Sequence, residues 1–155
     1  MSGRIEARLK ELGIELPQPA APVAAYVPTT QAGKILFVSG QVTVWNGERK
    51  FLGKLGQEFS VEEGKQAARL CGLNIIAQVK AACGGNLDRV ASCLKLGGFV
   101  NCTPDFHDHP AVINGASELM VEVFGDAGRH ARFAVGAPSL PLNVAVEVDA
   151  VFELI

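Results

Sequence analysis

Two residue periods alternate along the 155-residue chain and predict an α+β fold, β-β-β-α-β-α-β-β, with a single sheet carrying two long helices on one face. One observation is a pair of helical stripes: Ala68, Cys71, Ile75, Val79 and Ala82, then Val112, Ile113, Ala116, Leu119, Met120, Val123 and Phe124. Another is strict alternation between Val144 and Leu154. There Val146, Val148, Ala150, Phe152 and Leu154 share one face, while Glu147, Asp149 and Glu153 share the other. Helices that are apolar on one side cover only one face of the sheet, so the opposite face needs another cover.

Taken in order, Ile5, Leu9 and Leu12 recur at helical spacing and stop at Gly13, after which Pro17, Pro19 and Pro22 impose an extended linker. Residues 1–22 therefore read as an N-terminal helix and Pro-rich extension packed on the outside of a single domain spanning 1–155. Ala24–Thr29 and Ile35–Val44 read as paired strands, and Asn46-Gly47 as a type I′ turn into a short strand near Lys50–Leu52. Ser60-Val61-Glu62-Glu63 is a capping box that opens the first long helix, which Gly84-Gly85 ends. Val90–Cys102 returns to strand composition, and its Gly97-Gly98 suggests a bulge or a close backbone approach. The second helix starts near Pro110 and closes at Gly125. The strands Ala131–Ala137 and Val144–Leu154 then flank the loop Pro138-Ser139-Leu140-Pro141.

Composition narrows the function. Fourteen Lys plus Arg against 16 Asp plus Glu give a net charge of −2 with no basic cluster, which leaves nucleic acid and anionic membranes without an electrostatic footprint. Only 19% of residues are charged and the mean hydropathy is +0.23, which suggests a homo-oligomer that hides more surface than one small domain can alone. No apolar run approaches the roughly 20 residues that span a bilayer, and the N-terminus lacks the apolar core of a signal peptide; a cytoplasmic protein is expected. Cys71, Cys83, Cys93 and Cys102 form no CxxC and read as small buried thiols.

The last two strands carry the chemistry. With the loop centred between Ser139 and Leu140, a hairpin register pairs Val135 with Val144, Phe133 with Val146 and Arg132 with Glu147, the charged pair lying on the face away from the helices. That pair is either an exposed cross-strand ion pair contributing at most about 1 kcal/mol, or, with another subunit over it, a planar carboxylate receptor beside an acid that can hold water.

Val38-Ser39-Gly40-Gln41, Val112-Ile113-Asn114-Gly115, Ala131-Arg132, Leu140-Pro141 and Val146-Glu147-Val148 resemble the RidA/YjgF family of reactive-intermediate deaminases, with the similarity running from about Tyr26 to the C-terminus. The resemblance implies a chorismate-mutase-like fold, a homotrimer with pockets between subunits, and cofactor-independent hydrolysis of 2-imino or 2-enamino acids to 2-keto acids and ammonia. It implies that Arg132 binds the substrate carboxylate and Glu147 positions water. Tyr26, Gly40, Asn114 and the backbone of Ala134 would line the pocket. The N-terminal extension and the run Asn101–His109 point to a longer subgroup of the family.

Other readings remain open. A trimer could bind a small carboxylate at Arg132 without catalysis, and an endoribonuclease label also attaches to this family, although the charge balance opposes RNA. Asp105-Phe106-His107-Asp108-His109 could suit a divalent metal, but reads better as a polar loop capping the second helix next to Pro110; no metal is assigned. Cys102 near His107 invites a thiol–imidazole pair lacking an orienting residue, and His130 reads as a surface histidine.

Overall fold

The capping box forms as the sequence predicts: Ser60 Oγ accepts the Glu63 amide at 3.3 Å, and Glu63 Oε1 accepts the Ser60 amide at 3.0 Å. It opens a 22-residue helix, Val61–Ala82. The computed structural model describes residues 3–22 and 24–155. Its elements are α1 (Arg4–Glu11), β1 (Thr29–Ala32), β2 (Ile35–Gln41), β3 (Val44–Trp45), β4 (Glu48–Arg49), α2 (Val61–Ala82), β5 (Val90–Asn101), α3 (His109–Phe124), β6 (Ala131–Ala137) and β7 (Val146–Leu154). β1, β2, β7, β5 and β6 lie in that order in one five-stranded sheet, while β3 and β4 form a separate ribbon around the Asn46-Gly47 turn.

Both long helices cover one face of the sheet, as their one-sided stripes require. Ile75, Ile76 and Val79 of α2 and Ile113, Leu119 and Met120 of α3 are fully buried with Leu96, Val148 and Phe152. The Phe124 and Phe152 rings meet edge to face at 5.9 Å. The extension is anchored, with Met1 and Ser2 outside the described residues. Asp88 accepts the Arg4 and Ile5 amides at 2.8 and 2.9 Å, and Ile5 and Leu9 are buried. Asp88, with these two amides on its carboxylate, is held below the ordinary acid range.

Three expectations need correction. Ala24–Pro28 is not strand; pairing begins at Thr29, after Pro28, which has no amide hydrogen for a ladder. The short strand after the turn is Glu48–Arg49 rather than Lys50–Leu52. The third correction is larger: β6 and β7 do not pair with each other.

β6 lies parallel to β5, with Leu96 opposite Arg132 and Gly98 opposite Ala134, while β7 lies antiparallel on the other side of β5. β5, α3 and β6 form a strand–helix–strand crossover, whose helix supplies the length a parallel connection needs. β5 gains two partners for its ladder groups. β6 is left as an edge strand. The register shift reverses the faces expected of β6: Arg132, Ala134 and Gly136 lie on the helix side, and Phe133 and Val135 on the open side.

Phe152→Ala removes a fully buried ring from the centre of the helix-covered face and is expected to cost about 3–5 kcal/mol. Denaturant unfolding of the two proteins measures it, with an unchanged slope confirming that the midpoint shift is one of stability.

Candidate functional site

Arg132 leaves β6 towards α3 and meets two side chains one helical turn apart. Its Nη1 donates to Asn114 Oδ1 at 2.8 Å and to Ser117 Oγ at 3.1 Å. These i, i+3 positions lie on one face of α3. Both Nη1 protons are thereby used, leaving the Nε and Nη2 donors, a planar side-on fork of the kind that holds a carboxylate by two bonds.

Ser117 is held in turn by His130. His130 Nε2 lies 2.8 Å from Ser117 Oγ, and its Nδ1 lies 2.7 Å from the Gly128 carbonyl. A carbonyl only accepts, so Nδ1 carries the hydrogen, and Nε2 of the neutral ring accepts from the Ser117 hydroxyl. The hydroxyl oxygen remains free to accept from Arg132. His130 is therefore not the surface histidine expected, and Ser117 was not singled out by the sequence at all. A histidine two residues before the arginine, with a serine three after Asn114, is the signal that was present.

Glu147 is elsewhere. It projects from the open face of β7, separated from β6 by β5 and thus by two strand spacings, roughly 9–10 Å, as well as by the thickness of the sheet. The expected Arg132–Glu147 pair does not exist within one chain. Glu147 instead lies over Gly40, where a β-carbon would sit 2.2 Å from Oε2. Gly40 falls in the irregularity between Val38 and Gln41, so the bulge of β2 and the absence of a side chain together make room for the carboxylate. Burial first, and the neighbouring Asp149 carboxylate second, push Glu147 above its ordinary 4.5.

The six predicted site residues thus fall into two groups. Arg132, Asn114 and Ala134 occupy the β6 edge on the helix side. Ala134 lies half-buried opposite Gly98, on a strand with one unpaired side. Tyr26, Gly40 and Glu147 belong to the other half of the sheet. The exposed Tyr26 precedes edge strand β1, and Ser39 beside Gly40 donates its hydroxyl to the Val27 carbonyl at 2.7 Å. The open face between the groups carries exposed Phe37, Phe99 and Val135, with Phe99 and Phe133 edge to face at 5.4 Å.

The Asp/His run does not gather as a metal site: among the described residues no three His, Cys, Asp or Glu side chains converge. Asp108 stands at the N-cap of α3 without a side-chain cap bond. Cys102 faces His109, at 3.5 Å, rather than His107. All four cysteines are free and buried. Among the described residues no helix is long and apolar enough to cross a membrane.

Over residues 6–154 the sequence matches the family described as "YjgF/chorismate mutase-like, putative endoribonuclease". The chain belongs to this family. Protein TCP17 of Trypanosoma cruzi is 48% identical over 154 residues, which cover 99% of this chain and 96% of that protein. The crystal structure of a protein of unknown function from Agrobacterium tumefaciens, also 48% identical, agrees with a TM-score of 0.90 over 97% of this chain and 94% of its own. Escherichia coli TdcF with bound serine, at 23% identity, shares the fold, with a TM-score of 0.64 over 90% and 94% of the two chains. The one-sided sheet of this chain is the YjgF architecture.

Because the folded state holds the Glu147 proton more tightly than the unfolded chain does, Glu147 weakens the fold progressively as pH rises from 4.5 through its raised value. Glu147→Gln is therefore expected to melt higher than the parent at neutral pH, an advantage that vanishes in acid. Thermal denaturation across that range checks the sign.

Proposed function

We propose that the protein hydrolyses 2-imino and 2-enamino acids to 2-keto acids and ammonia without a cofactor, in pockets between copies of the chain in a homotrimer. The observation that carries this reading is the Arg132 fork: a half-buried guanidinium with one nitrogen fully occupied by Asn114 and Ser117 and its other edge left for a carboxylate. The division of the site residues supports assembly. The β6 edge of one chain supplies Arg132, Asn114 and Ala134. Against it, Glu147 of the partner subunit, with Gly40 and Tyr26, completes the walls. Burial of Phe37, Phe99 and Val135 by neighbouring copies would also explain why a YjgF chain of low charge exposes them. TdcF with bound serine supports the same fold holding an amino-acid-sized carboxylate.

The chemistry asks little of the protein. An enamine that takes a proton at C3 becomes the iminium directly, as an imine does when its nitrogen is protonated, and in either case C2 is made electrophilic. Water held by Glu147 adds to C2 as the carboxylate of Glu147 takes its proton. That proton passes to nitrogen, the C–N bond breaks, and the departing ammonia takes the remaining hydroxyl proton to leave as ammonium, so that the water oxygen remains as the keto oxygen. Positioning supplies most of the acceleration, and a carboxyl that burial and Asp149 hold above its ordinary value is the better base for accepting and returning one proton. A net charge of −2 without a basic run gives RNA phosphates no counter-charge, which disfavours the endoribonuclease reading.

The test follows imino acids generated in situ by an amino acid oxidase. The parent is expected to accelerate their loss, and Arg132→Ala to lower kcat/KM by at least roughly a hundredfold while sedimenting as the same trimer. Ser117→Ala, which frees one Nη1 proton, is expected to raise KM several-fold with a smaller change in kcat, and Ser117→Thr to restore it. Binding of 2-keto acids at Arg132 without acceleration of imine loss would identify a carboxylate receptor instead.

A further inference from the structure

A cavity of about 630 Å³ at the ends of β5 and β6 takes no part in the reading above; its walls include Lys54, Cys102, Phe106, His109, Gly136 and Pro138. That volume falls within the few hundred to about 1,000 Å³ of small-molecule sites. One wall is cationic and fixed. Lys54 Nζ donates to Asn101 Oδ1 at 2.8 Å and to the Pro138 carbonyl. Asn101 is itself fully buried, anchored by its amide donating to the Gly53 and Val144 carbonyls at 3.2 and 3.1 Å. Two of the three ammonium protons are thus spoken for by neutral oxygens. Among the described residues no carboxylate lies within ion-pair distance of Lys54. A cation held half-buried beside apolar walls, with neutral partners only, favours an anion at its free proton.

The other wall is closely packed. Cys102 Sγ and His109 Nε2 meet at 3.5 Å directly over Gly136, where a β-carbon would lie 2.5 Å from the imidazole nitrogen and 2.8 Å from the sulfur. The His109 ring stands edge-on to Phe106 at 5.5 Å. His109 is also the first residue of α3, so the positive end of that 16-residue helix adds to the potential at the same wall. Gly136 and Arg132 are four residues apart on the helix side of β6, roughly 13 Å along the strand, so the cavity and the fork are separate places on one element.

We propose that this cavity is a second ligand site, binding a small monocarboxylate with an aromatic or branched apolar body. Its carboxylate meets Lys54 and its body packs against Phe106 and Pro138. It is independent of the Arg132 fork and stands if the deaminase reading fails.

The probe is 3-phenylpropanoate, titrated calorimetrically into the full-length protein. Arg132→Ala, which disables the other carboxylate receptor, is expected to bind one equivalent per chain. Adding Lys54→Gln, which keeps a donor for Asn101 but removes the charge, is expected to weaken binding at least about tenfold, and Gly136→Leu to abolish it by driving His109 and Cys102 out of place in the wall. Cys102 supplies a second readout, since it lines the cavity and Cys71, Cys83 and Cys93 do not. The probe is expected to slow carboxymethylation of Cys102 by iodoacetate, mapped by peptide mass, in Arg132→Ala but not after Lys54→Gln is added. The proposal is overturned if Arg132→Ala neither binds nor protects, if Lys54→Gln in that background binds as tightly with its melting temperature intact, or if neutral 3-phenylpropanamide binds equally well.

Discussion

The two bonds from Arg132 Nη1 to Asn114 and Ser117 are what the rest of the site depends on. A long cationic side chain on an edge strand samples many rotamers, and ordering it only when ligand arrives would cost affinity. Here α3 performs that ordering in advance. Asn114 and Ser117 reach the guanidinium because α3 crosses over β6, and α3 crosses there because its apolar stripe is buried against β5. The packing of one helix on one strand therefore sets the direction of a charge. His130 completes the arrangement by giving the Ser117 hydroxyl an acceptor, which leaves the serine oxygen available to the arginine.

The sheet separates what assembly is proposed to reunite. Its helix-covered face holds the apolar core and, at the β6 edge, the arginine. Its open face carries phenylalanines and valines together with Glu147 and Asp149. Two acids on that face have glycine beside them: a β-carbon on Gly40 would meet Glu147, and one on Gly97 would lie 2.4 Å from Asp149 Oδ1. Glu147 is half-buried and Asp149 exposed, and both are bordered by exposed aromatics. The same placement raises the Glu147 proton affinity, because burial withdraws solvent and Asp149 adds like charge.

Much of this was legible in the sequence. Both long helices, their caps, and the strand Ala131–Ala137 stand where the periodicity and turn chemistry place them, because each depends on residues within a few positions of one another. The candidate residues Arg132, Asn114 and Glu147 were visible from the resemblance. Their relation to one another was not. A hairpin between β6 and β7 satisfied every local rule, pairing valine with valine and arginine with glutamate, yet β5 intervenes. The clue lay in the order strand, helix, strand, which favours a parallel neighbour and outweighs a short loop. The relay through Ser117 and His130 and the cavity around Lys54 were hidden for another reason: their members are 13, 47 and 84 residues apart in sequence.

By itself, then, the sequence determined the elements and the one-sided helices, since propensity, period and capping act over a few residues, while its resemblance to the YjgF family is what pointed to Arg132 and Glu147. Only the tertiary structure decided which strand lies beside which, and hence on which face Arg132 and Glu147 emerge. A strand alternates with period two, so one change of neighbour and register exchanges its faces without altering a single local preference.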